Sequence, residues 1–230
     1  MSDHTVKAFD DDLNRLRGLV SEMGSRATMA VETAMLALDR RDRDSAAQII
    51  ADDRIIDELE AEIEKHVVTT IALRAPMADD LRAMIAALKI AAVLERVGDY
   101  AKSIAKRVPL LSTDRSVEAI PLLMSMSEIA CEMLRDALAA FAARDPELSE
   151  DVIGRDKSVD DFYNAIFRAL ITYMMENPRS ISEAAHLLFV AKNLERAGDH
   201  ATNIAELVYF TATGRHMDER EKGGDPADMQ

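Results

Sequence analysis

"LERVGDYAKSIAK" occupies residues 94–106, and "LERAGDHATNIAE" occupies residues 194–206. Shifting the chain by 100 residues lays 89–106 on 189–206 with nine of eighteen positions identical: Ala91, Leu94, Glu95, Arg96, Gly98, Asp99, Ala101, Ile104 and Ala105. A shift of 103 lays "IIADDRIIDELEAEI" (49–63) on "VIGRDKSVDDFYNAI" (152–166), keeping Ile50, Asp53, Asp57 and Ile63. In all four segments apolar residues recur every three or four positions, which is the helical period. The chain reads as a duplicated helical unit.

The periodicity continues outward from these phrases and predicts six helices, roughly 4–40, 43–73, 78–108, 115–143, 147–176 and 180–213. "RRDRDS" (40–45) and "RAPMADD" (74–80, with Pro76) break the first half; "RDPE" (144–147) and "ENPRS" (176–180) break the second in the same way. "PLLSTDRS" (109–116) is the main linker. Three helices per half with short connections predict an all-α protein of two tandem antiparallel three-helix bundles, 1–110 and 111–214. The polar, Gly- and Pro-containing segment 215–230 is expected to be a disordered tail.

Composition agrees with long helices. Apolar residues make up 48% of the 230, aromatics only 4%, and Gly (8) and Pro (6) are few. The 42 acids outnumber the 28 bases, for a net charge of −14. Such a surface repels nucleic acid, and no basic run with interleaved aromatics offsets it. Nowhere do about 18 apolar residues run without a charge, so no membrane-spanning helix is expected, and the N-terminus lacks the pattern of a signal peptide. The single cysteine, Cys131, permits no internal disulfide, which fits a reducing cytoplasm, and its helical apolar setting predicts packing rather than reactivity. Met124, Met126, Met174 and Met175 are read as core fillers on the same grounds.

Each half carries two acid pairs at helical spacing: Asp53/Asp57 and Glu95/Asp99, then Asp156/Asp160 and Glu195/Asp199. Residues four apart stand one above the other on a helix face, where like charges cost about 0.2–0.5 kcal/mol per pair. A cation is the obvious compensation. Leu81, Ile85, Leu88 and Ala92 are expected to form a core stripe that runs into Glu95 and Asp99, placing these acids beside the core. A donor set of carboxylates without imidazole or thiolate suits Fe, Mn or Mg, and Zn with less preference. Gly98 and Gly198, mid-helix beside the acids, admit either a close neighbouring helix or a bound ion.

"PMADDLRAMIAALKIAAVLERVGDYAKSIAKR" (76–107), with its echo "AKNLERAGDHATNIAELVYFTATG" (191–214), resembles the PhoU family of phosphate-signalling regulators, and the likeness extends over nearly the whole chain to Gly214. The resemblance implies paired three-helix bundles whose four acid pairs hold multinuclear iron or zinc clusters. It also implies a cytoplasmic adaptor, a homodimer, that associates only peripherally with membrane complexes. Its implied partners are the nucleotide-binding subunit of a phosphate ABC transporter and a phosphate-sensing histidine kinase. In that role it limits phosphate uptake and keeps the phosphate-starvation regulon off, without catalytic turnover. Asn203 matches a position where the family often carries Asn, whereas the first repeat has Ser103, so the first cluster is expected to be less well supported.

Other residues admit other readings. Arg96 and Arg196 are expected to bridge to a neighbouring helix, and His200, matched by Tyr100, to pack. Glu183 and His186 form the Glu-x-x-His pair of ferritin-like di-iron bundles, so a carboxylate-bridged di-iron oxidase is the alternative function; such sites need two of these motifs, and no second is found. No Gly-rich phosphate loop is present.

Overall fold

The structure, a computed structural model, describes residues 2–112, 119–215 and 217. Among these residues there are seven α-helices and no strand: α1 (Ser2–Arg40), α2 (Arg43–Arg74), α3 (Asp79–Ala105), α4 (Ala119–Ala143), α5 (Pro146–Gly154), α6 (Asp156–Glu176) and α7 (Ile181–Thr213). Helices α1–α3 form one antiparallel bundle, and α4 to α7 form the second. The predicted fifth helix is real but interrupted. Gly154, a poor helix former, ends α5, and Arg155 stays in the right-handed region (φ −85°, ψ −12°), so the rod kinks into α6 without reversing. The third helix stops at Ala105, short of the expected 108, and a 3₁₀ turn over Val108–Leu110 absorbs Pro109. Residues 113–116 of the expected linker, and the expected tail apart from Arg215 and Met217, lie outside the described residues.

Turn chemistry repeats along with the helices. Arg41 and Arg144 end α1 and α4 in the left-handed region, at φ 56° and 55°. Each is followed by an aspartate that caps the next helix. Asp42 accepts from the amides of Asp44 (3.1 Å) and Ser45 (3.0 Å), and Asp145 accepts from Glu147 (3.0 Å) and Leu148 (3.1 Å). These bonds favour the ionised carboxylate and, with the Ser45 hydroxyl contributing most, hold Asp42 below the usual aspartate range. Pro146 takes the first turn of α5, where its missing N–H costs nothing. The α7 C-terminus closes on Gly214 (φ 71°), whose amide reaches Phe210 O at 2.8 Å.

The two bundles share one continuous apolar core, because α3 packs on α7 and α1 on α4. Met84, Ala87, Ile90, Ala91, Leu94 and Val97 form the buried face of α3. The expected stripe faces the other way: Leu81 and Ile85 are 37% and 38% exposed, Leu88 is half-buried and Ala92 is exposed. Both faces of α3 are rich in apolar residues, so period alone did not distinguish them. Cys131 is buried, and its thiol is pushed up to about 12 by desolvation, in keeping with a packing role. Met126 is buried, and Met124 and Met174 pack on the core, but Met175 is 71% exposed beside the turn into α7.

One glycine sets the distance between α1 and α4. A Cβ on Gly24 would lie 2.4 Å from Leu138 Cδ1 and 2.7 Å from its Cδ2, whereas one on Gly18 would meet nothing within 4 Å. Gly18→Ala should therefore stabilise by up to ~1 kcal/mol through helix propensity. Gly24→Ala should forfeit that gain to overpacking and come out ~1–3 kcal/mol less stable than Gly18→Ala. Urea unfolding of the two variants measures the difference; equal stabilities would mean that α1 and α4 do not need this close approach.

Candidate functional site

The four acids of each half meet across a helix pair: Asp53 and Asp57 on α2 face Glu95 and Asp99 on α3, and Asp156 and Asp160 on α6 face Glu195 and Asp199 on α7. The glycines explain why these helices lie so close. A Cβ on Gly98 would sit 2.9 Å from Ile56 Cδ1, and one on Gly198 would sit 3.1 Å from Val159 Cγ1. Ile56 and Val159 are repeat equivalents, so both glycines make the same helix contact. Of the two roles left open for them, close helix packing is the one the structure shows.

Proximity has an electrostatic consequence. Asp57, Glu95 and Asp160 are all shifted above the ordinary carboxylate range, first by partial burial and next by the neighbouring acids of the same cluster. Asp199 moves furthest, to about 6, through desolvation and then the charges of Glu195, Asp156 and Asp160. Glu60, beside Asp57 and Glu64, joins the first cluster and is likewise raised, by burial first. The burial pattern corrects one expectation: of the eight acids only Asp53 is fully buried, and Asp57, Asp160 and Asp199 are exposed. The clusters line a surface between helices.

Each cluster contains one lysine, and the sequence repeat does not reveal it, because the two come from different places. Lys102, one turn past Asp99, pairs with Asp53 and lies 4.0 Å from Asp99 Oδ1. Lys192 donates to Glu195 Oε1 at 2.6 Å. Both ammonium groups are held above the usual lysine range, chiefly by these hydrogen bonds. At the position equivalent to Lys102 the second half has Thr202, whose hydroxyl donates to Asp156 Oδ1 at 3.1 Å.

As a metal centre, the site fits in chemistry. Every donor is a carboxylate oxygen, and the surplus negative charge exceeds what one lysine neutralises. Among the described residues, however, no three His, Cys, Asp or Glu side chains converge on a point that could hold an ion. A cation held there would need the acids to rotate inward and the lysine to withdraw.

Between the clusters, Tyr100 and His200 meet at the seam of α3 and α7. Their rings stack with centroids 5.5 Å apart, and the Tyr100 hydroxyl lies 2.9 Å from His200 Nε2. His200 thus packs, as expected, and desolvation followed by the nearby Arg96 and Arg196 holds it below the ordinary histidine range. Arg96 does not bridge helices; it lies 3.7 Å from Glu95 of its own helix, and Arg196 makes no ion pair among the described residues. Asn203 reaches toward His200 Nδ1 (3.4 Å), and Ser103 accepts from Arg107 (2.8 Å), so neither supports an acid cluster. Glu183 is bound elsewhere. It accepts from the Ser112 amide at 3.0 Å and sits 3.8 Å from Arg41 Nη2, tying α7 to the end of α1. That engagement, with no second Glu-x-x-His motif, removes the basis for a di-iron oxidase.

The PhoU domain family model matches residues 20–108 and 123–208, one copy on each half. The chain belongs to the PhoU family. A relative from Zymomonas mobilis subsp. mobilis, described as a phosphate-specific transport system accessory protein PhoU homolog, is 53% identical over 96% of this chain and 94% of its own. A Caulobacter vibrioides protein of the same description is 45% identical over 94% and 95%. The fold superposes on the crystal structure of the phosphate transport system regulatory protein PhoU from Streptococcus pneumoniae with a TM-score of 0.85, at 30% identity, covering 91% of this chain and 99% of that one. PhoU from Pseudomonas aeruginosa gives 0.76 at 33% identity, over 94% and 100%. No helix among the described residues is long and apolar enough to cross a membrane.

The raised carboxylates set a sign for pH dependence. Asp199 holds its proton up to about 6, whereas an unfolded aspartate loses it near the ordinary value of 3.8. Between those values the folded chain binds more protons than the unfolded one, so this residue's contribution makes stability fall as pH rises through the window. In chelator, wild type should therefore lose stability between about pH 4 and pH 6 relative to Asp199→Asn. Parallel pH profiles for the two proteins in denaturant melts would show that the cluster does not act on Asp199.

Proposed function

We propose that this chain is a regulatory accessory protein of phosphate-specific transport, acting through binding and without catalytic turnover. Two modules, 1–110 and 111–214, present the two carboxylate faces. In this reading the chain works in the cytoplasm as a homodimer, meeting membrane complexes peripherally and binding no nucleic acid. It couples the nucleotide-binding subunit of the phosphate transporter to a phosphate-sensing histidine kinase, limiting uptake and keeping the starvation regulon off. Family membership over both repeats carries the coarse role. The facing acid pairs support the finer one, in which Asp53, Asp57, Glu95 and Asp99, and Asp156, Asp160, Glu195 and Asp199, hold metal ions. Iron or zinc in multinuclear clusters is the first expectation, with manganese or magnesium also compatible with oxygen donors. A bound cation would neutralise charge that one lysine per cluster leaves unbalanced.

Deletion of the gene in its host, followed by complementation, tests both levels. Loss of the protein should raise alkaline phosphatase or transporter expression in phosphate-rich medium, and the wild-type gene should restore repression. The Glu195→Gln/Asp199→Asn variant keeps shape but removes two charges from one cluster. Purified without chelator, it should hold only the metal of the first cluster, and metal should raise its Tm less than it raises that of wild type. Unchanged reporter expression with normal uptake in the deletion strain would contradict the regulatory role. Equal metal content and equal metal-dependent melting shifts would contradict the ligand assignment.

A further inference from the structure

We propose that a cavity between α1, α3, α4 and α7 binds a small oxyanion, carboxylate or phosphate, with Arg144 as its anchor. The cavity, of about 190 Å³, is lined by Leu13, Arg17, Ala83, Phe141, Arg144 and Ala212, among others. It lies away from both acid clusters and does not depend on the function proposed above.

The internal repeat shows what belongs there. Under the shifts that align the two halves, Arg144 corresponds to Arg41, Ala83 to Glu183, and Ala212 to Ser112. In the first of these equivalent places the constellation is complete. Arg41 Nε donates to Ser112 O at 3.1 Å, Arg41 Nη2 lies 3.8 Å from Glu183 Oε1, and the Ser112 amide donates to the same oxygen at 3.0 Å. The Arg41 and Glu183 side chains are largely buried there. In the second place the arginine remains, but alanine stands where the carboxylate was, and space opens in its stead.

The arginine itself points to an anion. Arg144 keeps the left-handed backbone of Arg41, at φ 55°, a conformation that disfavours a side chain and favours glycine. No described residue pairs with its guanidinium, whereas Arg41 uses all its reach on Leu38, Ser112 and Glu183. Arg144 is exposed, and a guanidinium that lines a cavity and has no carboxylate partner among the described residues is matched by the planar or tetrahedral oxygens of an oxyanion.

The test uses full-length protein stripped of metal with chelator, so that anion bridged by metal at the acid clusters makes no contribution. Acetate, succinate and inorganic phosphate are titrated separately at constant ionic strength, and binding is read by calorimetry and by Tm. Wild type should bind at least one of them saturably; acetate or succinate alone would identify a carboxylate site, and phosphate alone a phosphate site. Arg144→Gly relieves the backbone conformation, so it should fold at least as stably while its affinity falls ~10-fold or more. Ala83→Glu rebuilds the first-half arrangement, so it should raise Tm without anion and abolish the response. Absence of saturable binding in wild type, or equal binding by wild type and Arg144→Gly, would overturn the proposal.

Discussion

Helix α3 approaches α2, and α7 approaches α6, only because Gly98 and Gly198 present no side chain to Ile56 and Val159. That approach brings four carboxylates of each half face to face. The features of this surface follow from it: the upward shifts of Asp57, Glu95, Asp160 and Asp199, and the lysine drawn into each cluster. The fold thus spends packing energy to hold like charges together.

The duplication is not merely formal. The two bundles share a core, and the seam between α3 and α7 carries Tyr100 stacked on His200, one residue beyond Asp99 and Asp199. Equivalent positions therefore meet at the middle of the molecule, with an acid cluster on either side. Arg41 and Glu183 make a second connection, joining the end of the first helix to the last. A displacement of α7 on filling one cluster would be felt at the seam, and through it by α3.

Much of this was legible in the sequence because duplication exposes what is repeated. The paired Leu-Glu-Arg-x-Gly-Asp phrases and the Arg-Asp breaks between helices follow from local chemistry that both halves share, whereas the break at Gly154 has Ala51 as its counterpart and was not read. What the repeat hides is whatever the two halves do differently. Lys102 and Lys192 compensate equivalent clusters from inequivalent positions, so alignment of the halves passes over both. Glu183 looked like half of a metal motif because its partner, Arg41, is distant in sequence. The face of α3 was misassigned for another reason: alanines and leucines cover most of its circumference, and only contact with α1, α2 and α7 decides which stripe is buried.

The central claim is that each acidic face is balanced by a lysine that yields to a metal ion. Amine labelling of Lys102 and Lys192, read by mass spectrometry with and without added zinc, addresses it directly. Zinc should free both ammonium groups from Asp53 and Glu195 and increase their labelling, with lysines elsewhere unchanged. Saturating zinc binding that leaves Lys102 and Lys192 as protected as in the metal-free chain would contradict the account.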